Sequence, residues 1–111
     1  MEKESYVHLF HILLVGSLFL YVGIYKTLIP SAMYSLLLGL GLIIILYHCF
    51  KVYKRITMDK SYWVNLIHIF MVGPLLIYIG YNKEKTARLY FELLLMVAFA
   101  AIGYHAYYLF I

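Results

Sequence analysis

The sequence predicts an all-α integral membrane protein, a four-helix bundle made of two tandem helical-hairpin repeats related by a pseudo-twofold axis along the membrane normal. Three observations predict it. The 111 residues are 66% hydrophobic and only 13% charged, whereas about a quarter of residues are charged in ordinary soluble domains. Four apolar runs approach the roughly 20 helical residues needed to cross a hydrocarbon core of about 30 Å. The chain also aligns with itself at a shift of 57 residues.

The runs cover residues 7–25, 32–50, 62–81 and 89–111. They leave a short start and three polar joints, so residues 1–111 read as a single membrane domain with no soluble domain. Backbone groups in lipid must be satisfied within each segment, which selects helices over open strands. The period-2 alternation of a barrel strand is missing. The first run is too long and too rich in Tyr and His for a signal-peptide core and has no small-residue cleavage site behind it, so it reads as a permanent span. The single Cys49 lies inside an apolar run and has no internal disulfide partner, so redox compartment is not indicated.

The joints are KTLIPS (26–31), KVYKRITMDK (51–60) and NKEKTAR (82–88). Pro30 cannot continue the first helix but suits the first turn of the second. The net charge of +4 resides in these joints, where it meets lipid headgroups; no nucleic-acid partner is implied. Tyr6, Tyr25, Tyr53, Tyr62, Trp63, Tyr81, Tyr90, Tyr107 and Tyr108 fall near the run ends and form an aromatic belt. The side with the amino terminus and central joint carries Lys3, Lys51, Lys54, Arg55 and Lys60, against Lys26, Lys83, Lys85 and Arg88 on the other. The excess of one basic residue places both termini at the cytoplasmic face.

Residues 6–53 align with 63–110 without a gap, and sixteen of forty-eight pairs are identical. An internal duplication is the natural reading. The identical pairs include His11 and His68, Gly16 and Gly73, Tyr21 and Tyr78, Gly23 and Gly80, Lys26 and Lys83, Tyr47 and Tyr104, and His48 and His105. Each repeat crosses the membrane twice, so both copies start on the same side, unlike inverted transporter repeats.

The candidate site is a histidine cluster. His11 and His68 lie about a turn and a half inside the first and third helices, and His48 and His105 a similar distance before the ends of the second and fourth. Antiparallel helices bring starts and ends together, so the four imidazoles are expected in one layer, roughly 5 to 10 Å below one interface. His8, one turn nearer water and aligned with Asn65, is expected to lie outside that layer. Periodicity places His11, Val15, Leu18 and Val22 on one stripe, matched by His68, Val72, Leu75 and Ile79. Gly41, Ile45 and His48 form another, matched by Ala98, Ile102 and His105. Polar groups in a bilayer face the protein interior, so the four rings are expected to converge.

Convergent neutral imidazoles are donors to haem iron and to transition metals such as copper or zinc. His48 and His105 are the candidate axial ligands of a b-type haem, with His11 and His68 as alternates or supporting groups. Gly41 and Ala98, two turns towards the midplane, would give a macrocycle clearance. A bare metal on His11, His48, His68 and His105 would need all four nitrogens at about 2.0–2.1 Å from one centre. Tyr47 and Tyr104 point about 100° away from the adjacent histidines and are doubtful supporting groups. A histidine near an interface can equally snorkel or bond a neighbouring helix.

Gly16, Gly73, Gly39, Gly41 and Gly103 read as close-packing positions. Pro74, aligned with Ser17, should kink the third helix. Glu92 should pair with Arg88 one turn away. No phosphate loop, HExxH or GxSxG motif, paired intramembrane carboxylate or TVGYG filter is present.

Two function classes follow. One is a small haem or metal protein for electron transfer or ligand sensing, redox rather than hydrolytic if an enzyme at all, with a redox partner the sequence does not name. The alternative is a structural, scaffold or pore-forming membrane protein without a cofactor, a proton-conducting variant included. In either class the bilayer is a partner, and a homo-oligomer would help shield a cavity from lipid.

Overall fold

The computed structural model describes residues 3–111, and the regular structure in them is helical throughout. Four helices are long and apolar enough to cross a membrane: α1 (Glu4–Leu28), α2 (Ser31–Thr57), α3 (Trp63–Lys85) and α4 (Arg88–Phe110). At 1.5 Å per residue they span about 35–40 Å, more than the hydrocarbon core requires.

α2 outruns its apolar segment. Lys51, Lys54 and Arg55 are excluded from hydrocarbon by charge but are good helix formers, so most of the basic stretch taken for a joint forms the last turns of α2. The connector is 58–62. It opens with Met58 N–H bonded to Lys54 O at 3.1 Å and Lys60 N–H to Arg55 O at 2.8 Å, and Arg55 Nη1 donates to Ser61 O at 2.9 Å. Pro30 sits one place before the expected first turn, as an extended N-cap residue (φ −61°, ψ 149°).

α1 and α3 share an irregularity that the 3.6-residue period does not anticipate. Each contains a π turn, His11–Val15 in α1 and His68–Val72 in α3, closed by the N–H of Gly16 on His11 O and of Gly73 on His68 O. Each also ends in a 3₁₀ turn, Lys26–Leu28 and Lys83–Lys85, whose first lysine has positive φ (54° and 53°). The π turn precedes Ser17 in α1 and Pro74 in α3. A proline is therefore not required for the π turn.

The helices form two compact units, each drawing one helix from each aligned repeat: α2 with α3, and α1 with α4. α2 and α3 run antiparallel. A Cβ on Gly41 would lie 2.8 Å from both Gly73 O and Ile77 Cγ1, one on Gly73 would strike Ile45, and one on Gly80 would lie 2.6 Å from Tyr34 O. Tyr34, Leu37, Leu76 and Ile79 are fully buried. α1 and α4 are likewise antiparallel, with Gly16 against Ile102, Gly23 against Leu95 and Phe91 O, and Phe19, Val22, Phe91, Leu94 and Ala98 buried. Gly39 and Gly103, also expected to pack, have nothing within 4 Å of a Cβ, because they lie off these seams.

The stripes expected on α2 and α4 match the burial pattern: Gly41, Ala98 and His105 are buried, with Ile45, His48 and Ile102 half-buried. Those on α1 and α3 hold as well, with Val22, Val72 and Ile79 buried and His11, Val15, Leu18, His68 and Leu75 half-buried, but the buried set is wider than the stripe. The buried residues of α1 are Gly16, Phe19, Val22 and Gly23, and those of α3 below His68 are Val72, Gly73, Leu76, Ile79 and Gly80. The extra residue of each π turn shifts the register after it, so that Gly16, Phe19 and Gly23 in α1, and Gly73, Leu76 and Gly80 in α3, each one place beyond a stripe position, are buried too.

Candidate functional site

The histidines meet at one end of each helix pair. In the α1–α4 unit, His11 begins the π turn and its Nδ1 lies 2.8 Å from Val7 O. A carbonyl only accepts, so Nδ1 carries the hydrogen and donates. The His11 ring stacks on that of His105, with centroids 4.2 Å apart and planes 19° from parallel. His105 is 7% exposed, and its Nδ1 lies 2.8 Å from Nδ1 of His8. Tyr104 meets His105 edge-on at 5.1 Å, and Tyr108 stacks over His8 at 6.1 Å.

In the α2–α3 unit, His68 Nδ1 donates to Val64 O at 2.8 Å. Its ring stacks on His48 at 4.0 Å and 15°. His48 Nδ1 donates to Oδ1 of Asn65 at 2.7 Å, and Asn65 is 8% exposed. Tyr47 meets His48 edge-on at 5.2 Å.

The contacts of one unit recur in the other at positions 57 residues apart. His11 on His105 answers to His68 on His48, Val7 O to Val64 O, Gly16 against Ile102 to Gly73 against Ile45, and Gly23 against Leu95 to Gly80 against Leu38. Each stack thus joins an early histidine to a late one, at a common height within its unit.

Two residues were misplaced or missed from sequence. His8, expected outside the layer, is hydrogen-bonded to His105, because residues three apart share a helix face. Asn65 takes the same place for His48. The signal was their alignment: an imidazole and a carboxamide three residues before each repeated histidine can both serve one buried ring nitrogen. Tyr47 and Tyr104 meet the adjacent histidine rings edge to face.

The clearance expected beside Gly41 is taken up by the backbone of α3 at Gly73 and Ile77, and Ala98 is buried. Among the described residues no three His, Cys, Asp or Glu side chains are grouped so as to hold a metal ion. This lends the bare-metal expectation no support.

No known relative settles the matter. Comparison with known proteins finds no family model, no curated protein and no solved structure that matches the chain.

Within each unit the two imidazoles meet face to face. What they do is bridge two helices by face contact while Nδ1 hydrogen bonds fix their orientation. Glu92 contributes nothing here: Arg88 Nε donates to its Oε1 at 2.7 Å in an exposed i,i+4 pair.

Proposed function

We propose that the chain is a small multi-pass membrane protein that responds to protonation, its helix pairs clasped at one membrane face by stacked imidazoles. In this reading the histidines ligate nothing; they join helices. The observation that carries it is the pair of stacks at 4.0 and 4.2 Å. Neutral rings at that distance attract, whereas two imidazolium charges about 4 Å apart repel by about 4 kcal/mol at an effective dielectric of 20. Imidazole is the side chain whose ordinary titration falls between pH 5 and 8, so acidification converts each clasp into a repulsive contact.

The same reading takes the chain as two tandem hairpins, 6–53 and 63–110, on a pseudo-twofold axis along the membrane normal, with both termini cytoplasmic. The paired contacts 57 residues apart support it. A proton-conducting pore is the weaker form of the idea, because most buried residues beyond the rings are apolar, Phe19, Val22, Phe91 and Leu94 in one unit and Leu37, Leu76 and Ile79 in the other, and the buried hydroxyls of Tyr34 and Thr86 lie at the far end of the α2–α3 pair from its histidines. Haem b on His48 and His105, or copper or zinc on the four histidines, competes with it. A macrocycle there would need the space beside Gly41 that α3 fills.

The test is the unfolding midpoint of the purified protein in mixed detergent micelles at pH 8 and pH 5. The midpoint should fall at pH 5, and the difference should shrink in a His48→Gln, His105→Gln double variant. Equal midpoints at both pH values in the wild-type chain would overturn the proposal. So would a Soret band in the purified protein, which would assign the rings to haem.

A further inference from the structure

We infer that the two clasps respond unequally, and that the His8–His105 bond makes the α1–α4 pair the one that parts first on acidification. The inference rests on the protonation reading above and names the residue that tunes it.

The units match at the four stacked rings and differ beside them: α1 has His8 where α3 has Asn65, and α4 has Tyr108 where α2 has Lys51. In the α2–α3 unit, both rings can take up a proton with their described Nδ1 bonds intact. His48 Nδ1–H still donates to Asn65 Oδ1, and His68 Nδ1–H still donates to Val64 O; donation from a charged ring strengthens such bonds. The carboxamide does not titrate. Among the contacts described, it is the stack that opposes full protonation; the Lys51 ammonium, one turn beyond His48 on the same helix, stays beside that ring whether or not the helices part.

The α1–α4 unit differs in its hydrogen count. An Nδ1···Nδ1 contact of 2.8 Å holds one hydrogen, with one ring donating and the other offering a lone pair. One added proton is accommodated, since an imidazolium can donate to a neutral ring. The next proton on this pair has to go on the accepting Nδ1, which breaks the bond and sets two N–H groups face to face. It also places charges on rings whose centroids lie 5.1 Å apart, beside His11 at 4.2 Å. Three titrating rings therefore crowd this unit where the other has two.

The groups facing the pair do not remove the asymmetry. From α4 they are the phenol rings of Tyr104 and Tyr108. From α1 it is His11, with the exposed carboxylate of Glu4 one turn before His8.

Paired spin labels read the two units separately. In the full chain with Cys49→Ser, labels at Tyr6→Cys and Phe110→Cys report on α1–α4, and labels at Trp63→Cys and Tyr53→Cys report on α2–α3. All four positions are exposed, and each pair is the other's counterpart at 57 residues. Between pH 8 and pH 5 the 6–110 distance should widen before the 53–63 distance. His8→Asn, which copies the arrangement at Asn65, should bring the α1–α4 transition down to the pH of the other unit; Asn65→His should raise that of α2–α3. Wild-type distances at pH 8 in each variant verify that it folds. If both distances widen together and His8→Asn changes neither, the asymmetry is wrong while the protonation reading stands. If neither widens at any pH, that reading itself falls.

Discussion

Gly80→Ala should cost the α2–α3 pair stability, and the structure says how. A Cβ at Gly80 would sit 2.6 Å from Tyr34 O, 2.7 Å from Leu38 N and 2.9 Å from Leu38 Cβ, where ordinary contact begins near 3.4 Å. The shortfall against Tyr34 O is 3.4 − 2.6 = 0.8 Å. Two of the three obstructing atoms belong to the α2 backbone and cannot rotate away, so the helices must separate locally. Overpacking of this kind costs about 1–3 kcal/mol, set against a helix-propensity gain of about 1 kcal/mol for Gly to Ala. Gly39→Ala is the control, since its Cβ meets nothing within 4 Å and receives the propensity gain alone. The difference between the variants cancels propensity and isolates the contact, about 1–3 kcal/mol. Gly16→Ala should fall between them, because its nearest atoms are the flexible Cγ1 and Cδ1 of Ile102. Denaturant titration in mixed micelles measures all three. Gly80→Ala and Gly39→Ala agreeing to within about 0.5 kcal/mol would refute the close-approach argument.

Two smaller perturbations test other parts. Lys83 has φ 53° and ψ −128°, a region that costs a non-glycine residue about 1–3 kcal/mol, so Lys83→Gly should stabilise by about 1 kcal/mol after its added unfolded-chain entropy. Lys26→Gly should gain less, because Lys26 Nζ also donates to Gly23 O at 2.9 Å; a loss of stability in Lys83→Gly would mean that the backbone there is not strained. Glu92→Gln should change stability by no more than about 0.5 kcal/mol, as the Arg88–Glu92 side chains are 78% and 48% exposed. A loss above about 1 kcal/mol would show that the carboxylate does more than pair with Arg88.

Much of the fold is legible in the sequence because membrane spans are dictated by strong, local physics. Twenty apolar residues with no charge have few alternatives in lipid, and the glycines at 16, 41 and 73 announce close helix contact. The ends of α2 are less legible, because Lys51, Lys54 and Arg55 stop a hydrocarbon span without stopping a helix. At the candidate site, residue identity and height could be read from the repeats, since His11, His48, His68 and His105 are conspicuous and their depth follows from helix rise. Their partners could not. Which early histidine meets which late one depends on helix pairing, and α1 pairs with α4 while α2 pairs with α3, a choice between antiparallel neighbours that periodicity leaves open. His8 was misplaced for a local reason: being nearer water marks a residue as peripheral only if nothing on the facing helix reaches it.

The π turns explain why histidine and glycine can serve one seam. In a regular helix, five residues advance by about 500°, which leaves residue 16 about 140° around from residue 11. His11 and Gly16 would then face different neighbours. Closing the turn with an i→i+5 bond, Gly16 N–H on His11 O and Gly73 N–H on His68 O, brings glycine back over histidine. The ring can then stack on the late histidine of the partner helix while the glycine below it admits Ile102 or Ile45. The same residues, His-Ile-x-x-Val-Gly, stand at both turns. A turn one residue wider than the period is therefore what allows an apolar helix to present a titratable ring and a close-packed backbone to the same partner.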